Sequence, residues 1–263
     1  MPGFLLTKSC STASRSSGGA CYHRPADMLK NLFTSELVDM ALGRVAPEQR
    51  KAMPKSISVF KNTFLEHYLA RAHWVTPGLW FLPIAAYGMY SGFTNPNLSA
   101  LAVIGLFFAG WLFWSLVEYL LHRFLFHSLT PTEEHPERYL VHGYHHDFPD
   151  DSSRLVMVPL GSWPLGVLFA IAFRVVLGAD LWLPTYAGAA VGYVAYDWIH
   201  YYTHHARPQG GIGRWIRMYH LQHHHDPAPS RYGVSSPLWD FVFGTYKGTD
   251  AHAKPSTTAT AEH

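Results

Sequence analysis

Charge is what this chain has least of. Its 263 residues carry 20 Lys+Arg and 18 Asp+Glu, so 14% are charged and the formal net charge is +2. Soluble domains carry charge at about a quarter of their positions. The balance is too weakly basic for nucleic acid to be the main partner. Cysteine is nearly absent too: Cys10 and Cys21 stand alone in a Ser/Gly-rich start. They form neither a metal-binding spacing nor a disulfide framework, which excludes a stapled fold and thiolate chemistry. Against these absences, 48% of residues are hydrophobic and 15% aromatic, and 18 are histidine.

The missing charge is concentrated. No Asp, Glu, Lys or Arg occurs among the 46 residues from Ala72 to Val117. That is too long for one helix across a bilayer and right for two, with turn chemistry at "SGFTNPN" marking the break. One span is expected near Trp74–Tyr90. A second begins near Leu98, and the uncharged run to Val117 makes about 30 Å of helix, the thickness of the hydrocarbon core. Leu155–Phe173 and Leu181–Tyr196 are two further uncharged runs separated by "LGADLWLP". The economical reading is two hairpins and four spans. The alternative, a hairpin buried in a soluble core, needs a larger protein around it.

Lys and Arg test this arrangement, because they accumulate on the cytoplasmic side. Ten lie in residues 1–71, three in 118–154 and six after Tyr202, while only Arg174 lies near the other side. Four spans, with both termini and the central loop in the cytoplasm, fit that map. The chain divides into a tail and short cytoplasmic helix, 1–53, and an integral membrane domain, 54–263. The first 26 residues contain no acid and no apolar core of a secretory signal. They read as a cytosolic tail or a transit peptide. Between Asp27 and Trp74 the chain looks helical. Phe60, Phe64, Leu65, Tyr68 and Leu69 form a periodic apolar set suited to the membrane surface or to ordinary packing.

Thirteen of the histidines lie between His122 and His225, ten of them in four groups: His122 and His127; His142, His145 and His146; His200 and His204; His220, His223 and His224. Each group lies at or beyond the cytoplasmic end of a predicted span. On a helix, i, i+3 and i+4 share a face, so each group of three is expected to point one way. His122 and His127 are five apart, and the helix between them is expected to end or bend. Neutral imidazole binds Zn, Fe, Cu and Ni. One ion takes about four ligands, so ten predict two ions. A pH-sensing histidine surface needs no such regularity. His205 and His225 directly follow ligand candidates and point away from them, and His135 sits in a polar loop.

These residues resemble the fatty acid hydroxylase and sterol desaturase superfamily, and within it the fatty acid 2-hydroxylases that lack a fused cytochrome domain. The resemblance is carried by "EYLLHRFLFH", "YLVHGYHHDFPDD", "GYVAYDWIHYYTHH", "YHLQHHH" and "GVSSPLWDFVFGT", roughly Trp114 to Thr245. It implies an all-α integral membrane protein, with four transmembrane helices and a cytoplasmic helical cap holding a dinuclear histidine-rich metal site. It implies that the ten histidines hold the ions. It implies O2-dependent hydroxylation at carbon 2 of a long acyl chain, in a ceramide, another sphingolipid or a fatty acid. The membrane would be the endoplasmic reticulum in a eukaryote and the inner membrane in a bacterium. Relatives with a cytochrome b5 domain carry an HPGG motif, which this sequence lacks. Electrons are therefore expected from a separate cytochrome b5 or another reductase.

Attack on an unactivated C–H bond needs a redox metal, which makes iron the expected ion. Zinc, without redox chemistry, can occupy the same ligands. Glu118 and Asp197 are expected to orient ligand imidazoles through their outer N–H groups. Tyr196, one turn before His200, is a candidate for substrate positioning or proton relay. A membrane zinc hydrolase, working without O2, remains an alternative. So do a sterol C4-methyl oxidase and a carotenoid hydroxylase.

Overall fold

A computed structural model describes residues 31–226 and 230–247. The Ser-rich N-terminal segment lies outside them, with both cysteines and its reading as a tail or transit peptide. The regular secondary structure of the described residues is helical, apart from one antiparallel bridge between Phe33 and Phe60.

The amino-terminal part builds a small packed layer. Helix α1 (Ser35–Ala41) starts where the Thr34 side chain accepts a hydrogen bond from the Leu37 N–H, satisfying one orphan donor. It buries Leu37 and Met40. Helix α2 (Pro47–Ala52) carries Pro in its first turn, where the missing N–H costs nothing. In α3 (Thr63–Tyr68), Phe64 and Tyr68 are 63% and 69% exposed, so the periodic apolar set is not buried as a packing face. Its polar member Glu66 is buried instead. Glu66 accepts from the backbone N–H groups of Val59 and Phe60 and pairs with Arg71 and Arg154.

Two hairpins follow. Helix α4 (Thr76–Thr94) ends at the expected turn, and α5 (Ala100–Leu120) returns. Helices α6 (Arg138–Val141) and α7 (Gly143–Asp147) are short. Helix α8 (Pro159–His205) has 47 residues, about 70 Å if straight and far more than a bilayer needs. It breaks at Gly178, whose φ of 76° and ψ of −172° no helix accommodates. Segments 159–177 and 179–205 therefore run as two arms. The two turns meet: Asn95 and Asn97 donate to opposite oxygens of Asp180 at 3.0 and 3.1 Å. Every histidine group lies at the other end. Helix α9 (Gly211–His225) and the short α10 (Leu238–Val242) complete that end.

Small residues let the helices approach. A Cβ on Gly188 would overlap the Phe107 carbonyl, and one on Gly110 would overlap that of Thr185. Helix α5 and the second arm of α8 therefore cross backbone to backbone, the packing typical of helices in lipid. The outward faces of α5 and of the first arm of α8 are apolar and open: Leu101 is 80% exposed, Val175 77% and Val176 78%. Two helical stretches, Ala100–Phe126 and Pro159–His205, are long and apolar enough to cross a membrane, and only 17% and 6% of their most apolar windows are buried. A core helix of a soluble protein would be mostly buried.

Candidate metal centre

The spacing predicts that each histidine group of three shares one face. The structure instead divides the groups of three between two clusters. In cluster A, one ring nitrogen from each of His145, His200, His204, His220 and His224 lies within 4.8 Å of all the others. Cluster B has the same property with His122, His127, His142 and His223. His146 stands between them: its Nε2 is 2.7 Å from that of His142, and its ring centroid is 4.2 Å from that of His224.

Helical geometry accounts for the division. Residues i and i+4 nearly superimpose along a helix, while i+3 lies on the other side of that line. On α9, His220 and His224 therefore meet, with their Nε2 atoms 3.1 Å apart, and His223 turns away to cluster B. The second group works in reverse. His142 and His146 converge, while His145 reaches cluster A. His142 is not part of a continuous helix with them, because the chain breaks there between α6 and α7, at φ −152° and ψ −36°.

His122 and His127 meet by another route. Residues Leu121–Phe126 form a π-helical turn, and the helix ends there with His127 as its C-cap. The His127 N–H bonds to the His122 carbonyl, five residues back, at 3.3 Å. In such a turn, residues five apart stack as residues four apart do on an α-helix.

The donor atoms are uniform. In cluster A, Nε2 separations are 2.9 Å for His145–His224, His145–His200 and His204–His220. In cluster B they are 3.0 Å for His122–His142 and 3.1 Å for His127–His223. Nitrogens about 2.1 Å from a common ion and at right angles to one another lie about 3 Å apart, so both clusters fit a metal ion. Carboxylates and thiols are absent from both sets, which suits a borderline ion.

Burial keeps these rings neutral and ready to ligate. Desolvation, reinforced by His223, lowers His127 to about 4. Desolvation with His223, His127 and His200 lowers His146 to about 3. His142, His145 and His220 are held well below the usual histidine range for the same two reasons, burial and neighbouring imidazoles.

The carboxylates depart from the expected role. Glu118 does not touch an imidazole among the described residues. Its Oε1 accepts from the Val234 and Ser235 N–H groups at 2.7 Å, and its Oε2 accepts from Ser235 Oγ. Asp197 accepts from the Met157 N–H at 3.3 Å. A side chain one helical turn from a histidine is directed toward whichever element packs on that face, and here those elements are loops. Two outer nitrogens go to backbone instead. The carbonyls of Tyr232 and Ser230 accept from Nδ1 of His122 and His223, each at 2.6 Å. Periodicity gave no sign of these carbonyls or of Asp240, which fixes their loop; the quoted stretch "GVSSPLWD" contains Asp240 without revealing its role.

Tyr196 lies beside cluster A, its ring stacked on His200 at 5.9 Å. His205 and His225 are exposed. His135 bonds to Glu137 at 2.9 Å, away from both clusters. An apolar cavity between α4, α5 and both arms of α8 is lined by Phe81, Trp114, Gly166, Phe169, Tyr186 and Tyr193. Trp114 connects it to Tyr196, with ring centroids 6.3 Å apart.

The family model described as fatty acid hydroxylase matches residues 107–245, which include all ten histidines. The chain is 36% identical over 205 residues to the Arabidopsis thaliana dihydroceramide fatty acyl 2-hydroxylase FAH2, covering 75% of this chain and 83% of the relative. It is 32% identical to the Mus musculus fatty acid 2-hydroxylase, with 76% of this chain matched to 59% of that one. With the Saccharomyces cerevisiae ceramide very long chain fatty acid hydroxylase SCS7 it shares 39% identity, over 74% of this chain and 51% of the relative. The chain thus spans most of the plant protein but only half to three-fifths of the yeast and mouse proteins. A solved structure of full-length Scs7p, in which only the hydroxylase domain is visible, superposes with a TM-score of 0.67 at 35% identity, covering 73% of each chain.

Proposed function

The chain belongs to the fatty acid hydroxylase family, and from that premise we propose that it hydroxylates carbon 2 of an acyl chain in a ceramide, a related sphingolipid or a long-chain fatty acid. The observation that carries this reading is the position of the two Nε2-lined clusters, at one end of the apolar helices and one aromatic ring away from an apolar cavity. In this reading residues 54–263 form the hydroxylase unit and cross the membrane four times: α4, α5 and the two arms of α8. The histidine end, with loop 128–154, faces the cytoplasm. The membrane is the endoplasmic reticulum in a eukaryote and the inner membrane in a bacterium.

The ten histidines hold two ions, with His146 completing one set from between the clusters. Iron is the ion we assign; when bound, it supplies the redox chemistry with O2 that neutral side chains lack. The chain's own residues do the rest. Trp114, Phe169 and Tyr193 exclude water around the acyl chain. Tyr196, between Trp114 and His200, positions the chain's polar end. A lipid with its head group in water places the carbons nearest its carbonyl nearest the clusters. Distal carbons lie roughly 10–15 Å deeper in the ~30 Å core. Electrons come from a separate cytochrome b5 or another reductase.

Expression in a host lacking acyl 2-hydroxylase, followed by mass spectrometry of its lipids, tests the proposal. The expected product is 2-hydroxy ceramide, formed only with O2. Oxidised sterol or carotenoid in its place would keep the family and overturn the substrate, and product formed without O2 would overturn the oxygenase reading.

A further inference from the structure

The loop between α9 and α10 serves the two clusters unequally. Both carbonyls it offers to imidazole Nδ1 atoms, those of Ser230 and Tyr232, go to cluster B. The loop is fastened from two sides by buried carboxylates. Asp240, with no exposed surface, accepts from the Tyr232 N–H through Oδ1 and from the Gly233 N–H through Oδ2, each at 2.8 Å. Its Oδ1 also accepts from Thr245 Oγ1 at 2.7 Å. Glu118 takes the next two N–H groups, of Val234 and Ser235. Four successive amides are thus tied down, and the Tyr232 carbonyl has little freedom to leave His122. Gly233 is needed here, because a Cβ would overlap the Ser236 carbonyl.

Three of the five rings of cluster A lack such support among the described residues. Nδ1 of His145 and of His220 is buried and meets no acceptor among the described residues. His200 Nδ1 has the Leu155 carbonyl beside it, but outside hydrogen-bonding geometry. An imidazole that donates its outer N–H to a carbonyl is fixed in orientation and made a better donor to a metal, and losing such a partner costs about 10–100-fold in affinity.

We propose that the two metal sites are inequivalent, with cluster B the tighter, and that Asp240 is a positioning residue for cluster B alone, aiming the Tyr232 carbonyl at His122. This rests on the reading of both clusters as metal sites.

The test is an equilibrium zinc titration of the detergent-solubilised, metal-stripped full chain, over buffered free zinc, with bound zinc per chain as the readout. Two one-ion steps about tenfold or more apart are expected. His127→Ala should weaken or remove the tighter step and His204→Ala the weaker one. Asp240→Asn should weaken the tighter step by about 10–100-fold and leave the other in place. A merely structural role would shift both steps together, and that result overturns the proposal. So would two ions bound in one indistinguishable step, or a tighter step that survives His127→Ala and is lost in His204→Ala. If Asp240→Asn gives no monodisperse protein, Ser235→Ala, which removes only a hydroxyl contact to Glu118, should weaken the tighter step by a smaller factor; no change would overturn the proposal. Wild-type chain that binds no zinc would overturn the metal reading itself.

Discussion

Replacing Arg154 with methionine should loosen the packing that holds α7. Arg154 has only 6% of its side chain exposed, and its guanidinium joins three parts of the chain. It pairs with Glu66, with Asp151 at 2.8 Å, and donates to Tyr144 Oη at 3.0 Å and Ser56 Oγ at 2.9 Å. Tyr144 lies on α7 immediately before His145, so the network fastens the helix that carries His145 of cluster A and His146 between the two clusters. Removing one partner of a buried pair costs about 3–5 kcal/mol, because the other charge stays behind. Glu66 keeps two backbone donors and Arg71, which places the expected loss near the lower end, about 3 kcal/mol. That is a substantial share of a net stability of about 5–15 kcal/mol, and corresponds to a midpoint shift of roughly 6–12 °C. Thermal unfolding in detergent, followed by the loss of the monodisperse chromatographic peak, measures it. Glu66→Gln in the Arg154→Met background should recover part of the loss, since the stranded carboxylate is then neutral. Equal midpoints for Arg154→Met and wild type would refute the reasoning, and so would strict additivity of the two substitutions.

The same network gives a pH dependence. Burial alone would raise the Glu66 carboxyl, but the Phe60 and Val59 amides, Arg154 and Arg71 outweigh it and hold it below its usual value of 4.5. A group depressed on folding contributes stability above its unfolded pKa and loses it as pH falls through the folded one. Wild-type thermal stability should therefore decline as pH falls below about 4.5, with a shallower decline in Glu66→Gln. His146→Ala should abolish product formation with membrane insertion intact, while His205→Ala, an exposed ring tilted against Tyr201 at 4.5 Å, should retain activity in the same lipid assay. Gly188→Val should lower the unfolding midpoint by the equivalent of at least about 1–3 kcal/mol, because its side chain collides with the Phe107 carbonyl; Gly105→Ala, with nothing within 4 Å, should not.

The parts of this molecule that follow a period were legible in its sequence. Charge-free runs located α4, α5 and both arms of α8, and "SGFTNPN" located the first turn. Histidine spacing identified nine members of the two clusters and His146 between them. The assignment of rings to clusters was not legible, because sharing a helix face does not fix which neighbour that face meets. His223 and His224 are adjacent in sequence and belong to different clusters. The outer partners were hidden for a related reason. Carbonyl groups have no residue identity, so Ser230 and Tyr232 look like any loop. The same physics misled the reading of Glu118 and Asp197, where a carboxylate near a histidine suggested a pair that long-range packing replaced with backbone amides. The buried pair of Glu66 and Arg154 is hidden for the same reason, since its partners lie 88 positions apart.

The π-helical turn at Leu121–Phe126 has a consequence for insertions and deletions. A residue added to an α-helix normally rotates everything beyond it by about 100°. Here the extra residue is absorbed by the wider turn, and His122 and His127 still meet. Loss of one residue from 123–126 would restore an ordinary α-helical turn and leave the two imidazoles four apart, the spacing of His200 and His204. A chain shortened in this way that still binds metal at cluster B would show that the pair of rings, and not the length of chain between them, is under constraint. A search pattern for related chains should accept either spacing in the first group, while the adjacent pairs His145–His146 and His223–His224, which split between clusters by rotation alone, tolerate no such change.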